Sequence, residues 1–227
     1  MSIELMDFNG NPNIGLYCYA NNDYCLVPQI FPEKLVRRIE RTLKVNVYRT
    51  NIAGTSFLGA LLSGNDSILI VPKIVFKREI ENLKKLKIKH KIVDSDLTAL
   101  GNNILVSEKI ILINPDYSLR VENKLKEIFN LEVKRFYVKG IRAIASLIRT
   151  NSNGALVSDL IPYKKQEDLK ILLGVRNIES TTVNFGNQIV SSGIVLNNKG
   201  LIIGSKTTGP ELMNIHSAFE FADYNAD

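Results

Sequence analysis

Five times along this chain a short polar turn separates two apolar or alternating stretches: LYCYA-NND-YCLVP, ALLS-GND-SILIVP, NILVS-EK-IILINP, SLIRT-NSNG-ALVS and SGIVL-NNKG-LIIG. With Asn22, Asn65, Glu108, Asn153 and Asn198 as markers, successive turns lie 43, 43, 45 and 45 residues apart. Short β-prone runs joined by such turns read as hairpins. A near-constant interval from one end of the chain to the other reads as a repeat architecture, and it constrains the fold more than any single motif does.

The rest of each unit repeats as well. A proline follows the hairpin in four units, Pro28, Pro72, Pro115 and Pro162, where it ends ladder pairing and pre-sets φ for a following helix. Apolar stripes of helical period come next: Leu35, Val36, Ile39 and Leu43; Phe76, Ile80, Leu83 and Leu86; Val121, Leu125, Ile128 and Phe129; then shorter ones at Leu169, Leu172, Leu173 and at Leu212, Ile215, Phe219. A single strand precedes every hairpin: IELMDF at 3–8, NVYRTNI at 46–52, KHKIVD at 89–94, EVKRFYV at 132–138 and STTVNF at 180–185. A unit of three strands and one helix cannot bury both faces of its sheet alone, so neighbours must stack. Open arrays need polar caps, yet the first strand and the last helix here read like interior elements. If each strand packs with the helix before it, the N-terminal strand completes the fifth unit. The expected fold is therefore α/β: a closed five-fold pseudosymmetric propeller in one domain, residues 1–227, with units at about 1–45, 46–88, 89–131, 132–178 and 179–227.

In such a ring the loops from strand to hairpin gather at one end of the axis. They comprise Asn11 to Gly15, Thr55 to Gly59, Leu100 to Asn103, Ile141 to Ala145 and Gly186 to Gly193. Glycines at 15, 59, 101, 186 and 193 let these backbones crowd together. Small residues there also leave a shallow surface on which Asn102, Asn187 and Ile189 can meet a partner.

Composition is that of an ordinary globular chain, 45% hydrophobic and 23% charged over 227 residues. A net charge of +6 is compatible with a polyanionic partner such as RNA and equally with a Lys-rich solvated surface. The N-terminal MSIELMDFNGNP lacks the basic and apolar regions of a signal peptide, and no apolar run reaches the ~18 residues of a membrane span. A cytoplasmic protein without a membrane role is expected. Cys18 and Cys25 flank one turn; a two-residue turn would place them face to face and a three-residue turn would offset them, so geometry leaves a disulfide open. Without an export signal, reduced buried thiols are expected. The run KREIENLKKLKIKHK carries seven lysines and arginines around an apolar stripe with no interleaved aromatics. It reads as a solvated outer face that raises on-rates toward an anionic partner, not as a base-stacking platform. There is no phosphate loop and no metal-ligand spacing, so no cofactor is expected.

The chain also resembles a known family, archaeal and eukaryotic translation initiation factor six, the ribosome anti-association factor. The likeness runs through NIGLYCYANNDYCLVP, NIAGTSFLGALLSGNDSILIVP, DLTALGNN, TTVNFGNQIVSSGIVLNNKGLIIG and TTGPEL, in that order. It implies the pentein fold, in agreement with the repeat count. It also implies a monomeric, non-enzymatic factor that binds the large ribosomal subunit, touching rRNA near the sarcin-ricin loop and ribosomal proteins of the intersubunit face. Bound there, it blocks joining of the small subunit; a part in large-subunit maturation goes with the same partner. The resemblance and the axial loops together assign ribosome binding to Gly15, Gly59, Leu100, Gly101, Asn102, Asn184, Gly186 and Ile189. The fourth junction, VKGIRAIAS, matches the family's pattern only loosely, which weakens a contact from unit four. Two alternatives stand beside this reading. One is a guanidine-modifying pentein hydrolase or transferase, whose chemistry needs a thiolate and a proton-transfer group in one pocket. In those enzymes the nucleophilic Cys lies in the last unit, whereas both cysteines here lie in the first, and neither His90 nor His216 reads as catalytic. The other is a ring-shaped clamp around nucleic acid.

Overall fold

A computed structural model describes residues 2–219, and through them one motif recurs. In chain order the elements are β1 (Ser2–Met6), a 3-10 turn (Ile14–Leu16), β2 (Tyr19–Ala20), β3 (Tyr24–Pro28) and α1 (Glu33–Leu43); then β4 (Asn46–Thr50), α2 (Leu58–Leu61), β5 (Ser63–Gly64), β6 (Leu69–Pro72) and α3 (Lys77–Lys85). The third unit has β7 (His90–Val93), α4 (Leu100–Asn103), β8 (Ile104–Val106), β9 (Ile110–Ile113) and α5 (Leu119–Phe129). The fourth has β10 (Glu132–Arg135), a 3-10 turn (Ile144–Leu147), β11 (Ile148–Thr150), β12 (Gly154–Ser158) and α6 (Tyr163–Leu173). The fifth has β13 (Asn177–Thr181), a 3-10 turn (Val190–Gly193), β14 (Ile194–Leu196), β15 (Gly200–Gly204) and α7 (Gly209–Phe219). The end of the last unit beyond residue 219 lies outside the described residues.

Five three-stranded sheets result, each an antiparallel hairpin extended by a parallel strand from the next unit: β2-β3-β4, β5-β6-β7, β8-β9-β10, β11-β12-β13 and β14-β15-β1. The last of these closes the ring, because Ser2–Met6 pair in register with Gly200–Gly204. Glu4 on this strand accepts from Arg38 Nε (2.6 Å) and Thr42 Oγ1 (2.5 Å) on α1, tying the closing strand to the first helix. Helices α1, α3, α5 and α6 each separate two parallel strands and reverse the chain, and three of them end on a left-handed residue, Lys44, Asn130 and Gly174.

The central strands β3, β6, β9, β12 and β15 are buried along their whole length, which is why they read as unbroken apolar runs. Successive side chains on each one enter two different cores. Ile110 and Leu112 pack with Phe136, Ile144 and Leu169 of unit four, whereas Ile111 and Ile113 pack with Val121 and Leu125 of their own unit. Leu26 likewise packs with unit two and Val27 with unit one, and Ile202 of unit five completes the core of unit one. Five sheets thus separate five cores in a closed circle, the pentein architecture.

Two local expectations are corrected. The predicted strands 46–52, 132–138 and 180–185 end early, at Thr50, Arg135 and Thr181, because the chain must leave the sheet and turn toward the axis. Isolated bridges, Ile52 to Thr55, Val138 to Ile141 and Val183 to Asn187, hold those turns. Phe76, placed on an apolar helix stripe by its spacing, is instead the residue before α3 and is 45% exposed.

Candidate functional site

Strand direction gives the ring two unlike ends. The central strands, the parallel strands beside them and the starts of the long helices meet at one end, the junction face. Hairpin tips and helix C-termini lie at the other. At the junction face the five short turns, Ile14–Leu16, α2, α4, Ile144–Leu147 and Val190–Gly193, pack each against the next and the last against the first. A Cβ on Gly59 would overlap the Gly15 carbonyl, one on Gly101 the Gly59 carbonyl, and one on Gly15 the Ser191 carbonyl. Backbone therefore plugs the axis, and no duplex can thread it, which overturns the clamp alternative.

This packing also places half of the site predicted from sequence away from the surface. Gly15, Gly59, Leu100 and Gly101 are buried in the plug and offer no surface; they set how closely the units approach. Ile189 is half-buried against the core of unit four. Asn184 is half-buried as well, and its amide donates to the Pro12 carbonyl (3.1 Å) while its carbonyl accepts from Thr207 Oγ1 (3.3 Å), which makes it part of the seam between units five and one. Of the eight, only Asn102 and Gly186 leave a side chain or a Cβ position open toward the surface. Asn102, on α4, is half-buried, and its side-chain amide has no partner among the described residues, whereas its neighbour Asn103 uses its amide on Ala99 and Asn114. Gly186 is exposed at φ +93, with nothing within 4 Å of where a Cβ would sit.

Beside Gly186 stands a residue that sequence reading passed over. Asn184, Phe185 and Gly186 are three consecutive left-handed residues, at φ 53, 65 and 93, and this backbone thrusts Phe185 out to 82% exposure. Such a run is costly for non-glycine residues and needs outside support. Glu211, in the first turn of α7, supplies it. Its carboxylate accepts from Phe185 N (3.2 Å), Gly186 N (2.9 Å), Thr182 Oγ1 (2.6 Å) and both Thr208 N (2.7 Å) and Thr208 Oγ1 (2.9 Å). Burial works to raise its pKa, but the hydrogen bonds from Thr182, Thr208 and Gly186 outweigh it and hold the carboxyl down at about 2. Unit two repeats the device: Glu79 on α3 accepts from Ala53 N (2.7 Å), Gly54 N (2.9 Å) and Phe76 N (2.9 Å), with Phe57 and Phe76 left about half exposed beside that loop. The motif behind both is a glutamate three residues past the helix N-cap, legible as TGPE and FKRE.

At the opposite end the tips are laced together across units. Asn22 N and Nδ2 both donate to Asp66 (2.9 Å each), Asn198 N donates to Asn22 Oδ1 (2.9 Å), and Ser152 N donates to Asn198 Oδ1 (3.0 Å). Between tips and plug lies an axial cavity of about 470 Å³ lined by the inner strands of all five units. Cys18 lies on its wall, buried with Cys25 and not bonded to it, and burial together with the neighbouring Cys25 thiol pushes its pKa well up. Neither histidine lines that cavity: His90 opens β7 with Nδ1 2.8 Å from the Ile88 carbonyl, and His216 is exposed on α7. The lysines and arginines of KREIENLKKLKIKHK are all exposed along α3, the turn after it and β7, as a solvated outer face would have them. Among the described residues no group of acidic, His and Cys side chains could hold a metal ion, and no helix is long and apolar enough to cross a membrane.

Comparison with known proteins follows the same five units. The crystal structure of a dimethylarginine dimethylaminohydrolase superposes with a TM-score of 0.50 over 79% of this chain and 69% of that one, at 11% identity, which is a likeness of fold alone. Translation initiation factor 6 of Saccharolobus islandicus is 32% identical across 96% of this chain and 99% of its own. The proteins of the same name from Staphylothermus marinus and Pyrococcus horikoshii are 34% and 31% identical, across 95% and 97% of this chain and 96% and 100% of theirs. A model of the eIF-6 family matches residues 3–218, from the closing strand to the last helix. Since every unit of the ring takes part in that match, the chain belongs to the eIF-6 family of translation initiation factors.

Proposed function

We propose that this protein binds the intersubunit face of the large ribosomal subunit, next to the sarcin-ricin loop, and keeps the small subunit from joining by occupying that surface. The match to the eIF-6 family along residues 3–218 carries the reading. The junction face supports it with the means of contact. Phe185 projects from a braced loop, Phe57 and Phe76 stand beside a second one, and Lys77 and Arg78 border them at the start of α3. Exposed aromatics suit the apolar anchors of a protein contact, cations suit rRNA phosphates, and the unused amide of Asn102 suits a directed polar contact. Exclusion of the small subunit then follows from sterics, with no bond made or broken and no cofactor. On this reading the protein acts as a cytoplasmic monomer, and its binding to the large subunit also serves maturation of that particle.

Catalysis is not part of the proposal. A guanidine-modifying reaction would need a thiolate beside a proton-transfer group, and the Cys18 thiol is buried, held protonated and paired only with another thiol. Sedimentation through sucrose gradients tests the binding. The protein is expected to comigrate with purified large subunits and not with small ones. Asn102→Trp is expected to leave the thermal unfolding curve unchanged and weaken binding by about tenfold or more, the scale of one hot-spot contact. Failure of the native protein to comigrate rejects the proposal, and undiminished binding by the variant removes α4 from the interface.

A further inference from the structure

The axial cavity is lined by two polar groups whose hydrogen-bonding capacity the protein does not fill: the Tyr19 hydroxyl, buried without a partner among the described residues, and the Arg149 guanidinium. Position for position, the inner strands β2, β5, β8, β11 and β14 bring Tyr19, Ser63, Leu105, Arg149 and Val195 to equivalent places on its wall, so the architecture itself does not call for a cation there. Arg149 Nε donates to the Ile194 carbonyl at 3.5 Å and Nη2 to the Ser191 carbonyl at 3.3 Å, both long bonds to neutral acceptors. No carboxylate lies within ion-pair distance of it among the described residues. A guanidinium carries five N–H donors, so about three are left without a protein acceptor, including the Nη1 side of its end edge. Arg149 is half-buried, and partial desolvation lowers its pKa to about 10, so it stays protonated at neutral pH. Its lining extends to the tip of unit three, Ser107, Glu108 and Lys109, for which no hydrogen bond to another tip is found among the described residues, and to Leu173, Gly174 and Val175 at the end of α6.

We propose that the axial cavity is a binding site for a small phosphate-type oxyanion, held bidentately by the free end edge of the Arg149 guanidinium. Two parallel N–H donors match the spacing of two oxygens on a tetrahedral or planar oxyanion, and a charge-assisted bidentate pair is stronger than a neutral one. At about 470 Å³ the cavity admits a phosphate with water, or a small phosphomonoester. Occupancy stabilises the ring, since the ligand binds only the assembled cavity.

Inorganic phosphate, titrated calorimetrically into the full-length protein at constant ionic strength with chloride as reference, tests the site. The native protein is expected to bind one phosphate saturably with a matching rise in melting temperature. Arg149→Leu, which copies the residue at the equivalent place in unit three, should weaken phosphate binding by about tenfold or more. Without phosphate it should melt no lower than the native protein, because it removes a half-buried charge that has no counter-ion and only two long hydrogen bonds. A phosphate-free melting temperature well below native overturns the account of Arg149 as uncompensated. The same rise with phosphate in both proteins, or no saturable binding to the native one, overturns the site. Should the variant not fold, phosphorus NMR of phosphate with the native protein decides: saturable line broadening that sulfate displaces supports the site, and its absence refutes it.

Discussion

Glu211 takes up five hydrogen bonds on one buried carboxylate and through them fixes the shape of a loop 25 residues away in sequence. Its folded-state pKa lies at about 2, below the ordinary 4.5, so its contribution to stability is fully present above 4.5 and is lost as pH falls from 4.5 toward 2. Glu211→Gln keeps the size but turns an acceptor into a partial donor facing three N–H groups. It is expected to cost about 1.5–3 kcal/mol in urea unfolding at pH 7, the range for hydrogen bonds to a charged group, and to flatten the acid limb of the stability curve. At this scale the sequence was legible only in part. Asn102 was singled out by the resemblance and its place in an axial loop, and the structure leaves it half-buried with its amide unpartnered among the described residues. Asn184 looked similar, yet its amide is taken up by Pro12, a contact made only when the ring closes. Phe185 and its brace were missed because what exposes that ring is a backbone conformation held from another element, although TGPE carried the capping signal.

Among elements, the long helices were legible wherever apolar residues recur at 3.6 spacing, and the hairpins wherever polar turns interrupt β-branched runs. Strand ends were not, since sequence alternation continues through Val183 after the pairing has stopped at Thr181. The central strands show why one element here cannot be altered privately. Ile111 faces the core of its own unit while Ile110 and Leu112 on either side face the next one. Ile111→Ala therefore opens a void under α5 in a strand that is also a wall of the neighbouring core. A loss of about 3–5 kcal/mol is expected, toward the upper end for such truncations, because the two-sided strand is poorly placed to collapse inward. Chemical denaturation should show the midpoint falling while the transition stays single; a separate early transition for unit three would contradict the shared-core picture.

For the whole molecule, closure rests on five residues. β1 contributes a parallel ladder to β15, the fully buried Met6, and Glu4 with its bonds to Arg38 and Thr42. Removing residues 1–6 takes away about 5 kcal/mol on ordinary values for such bonds and burial, which corresponds to a fall in melting temperature of about 10–20 °C in a chain of this length. Calorimetry on the truncated protein checks this, and a shift of only a few degrees would mean that the ring does not depend on its N-terminal clasp. The repeat interval revealed that five units exist; the parallel pairing of Ser2–Met6 with Gly200–Gly204 is what makes five sufficient.

That pairing has a consequence for how the protein is made. Synthesis runs from the N-terminus at about 5–20 residues per second, so β1 leaves its tunnel roughly 10–40 seconds before the segment it must join exists. Throughout that time the first core lacks Val195 and Ile202, and the earliest strand is an unclaimed edge. Glu4 sits at the middle of that strand, a charge between Ile3 and Leu5 that discourages pairing with other chains until its own partner arrives. The order in which the molecule is built thus runs opposite to the order in which it is completed: the first strand made is the last to find its place.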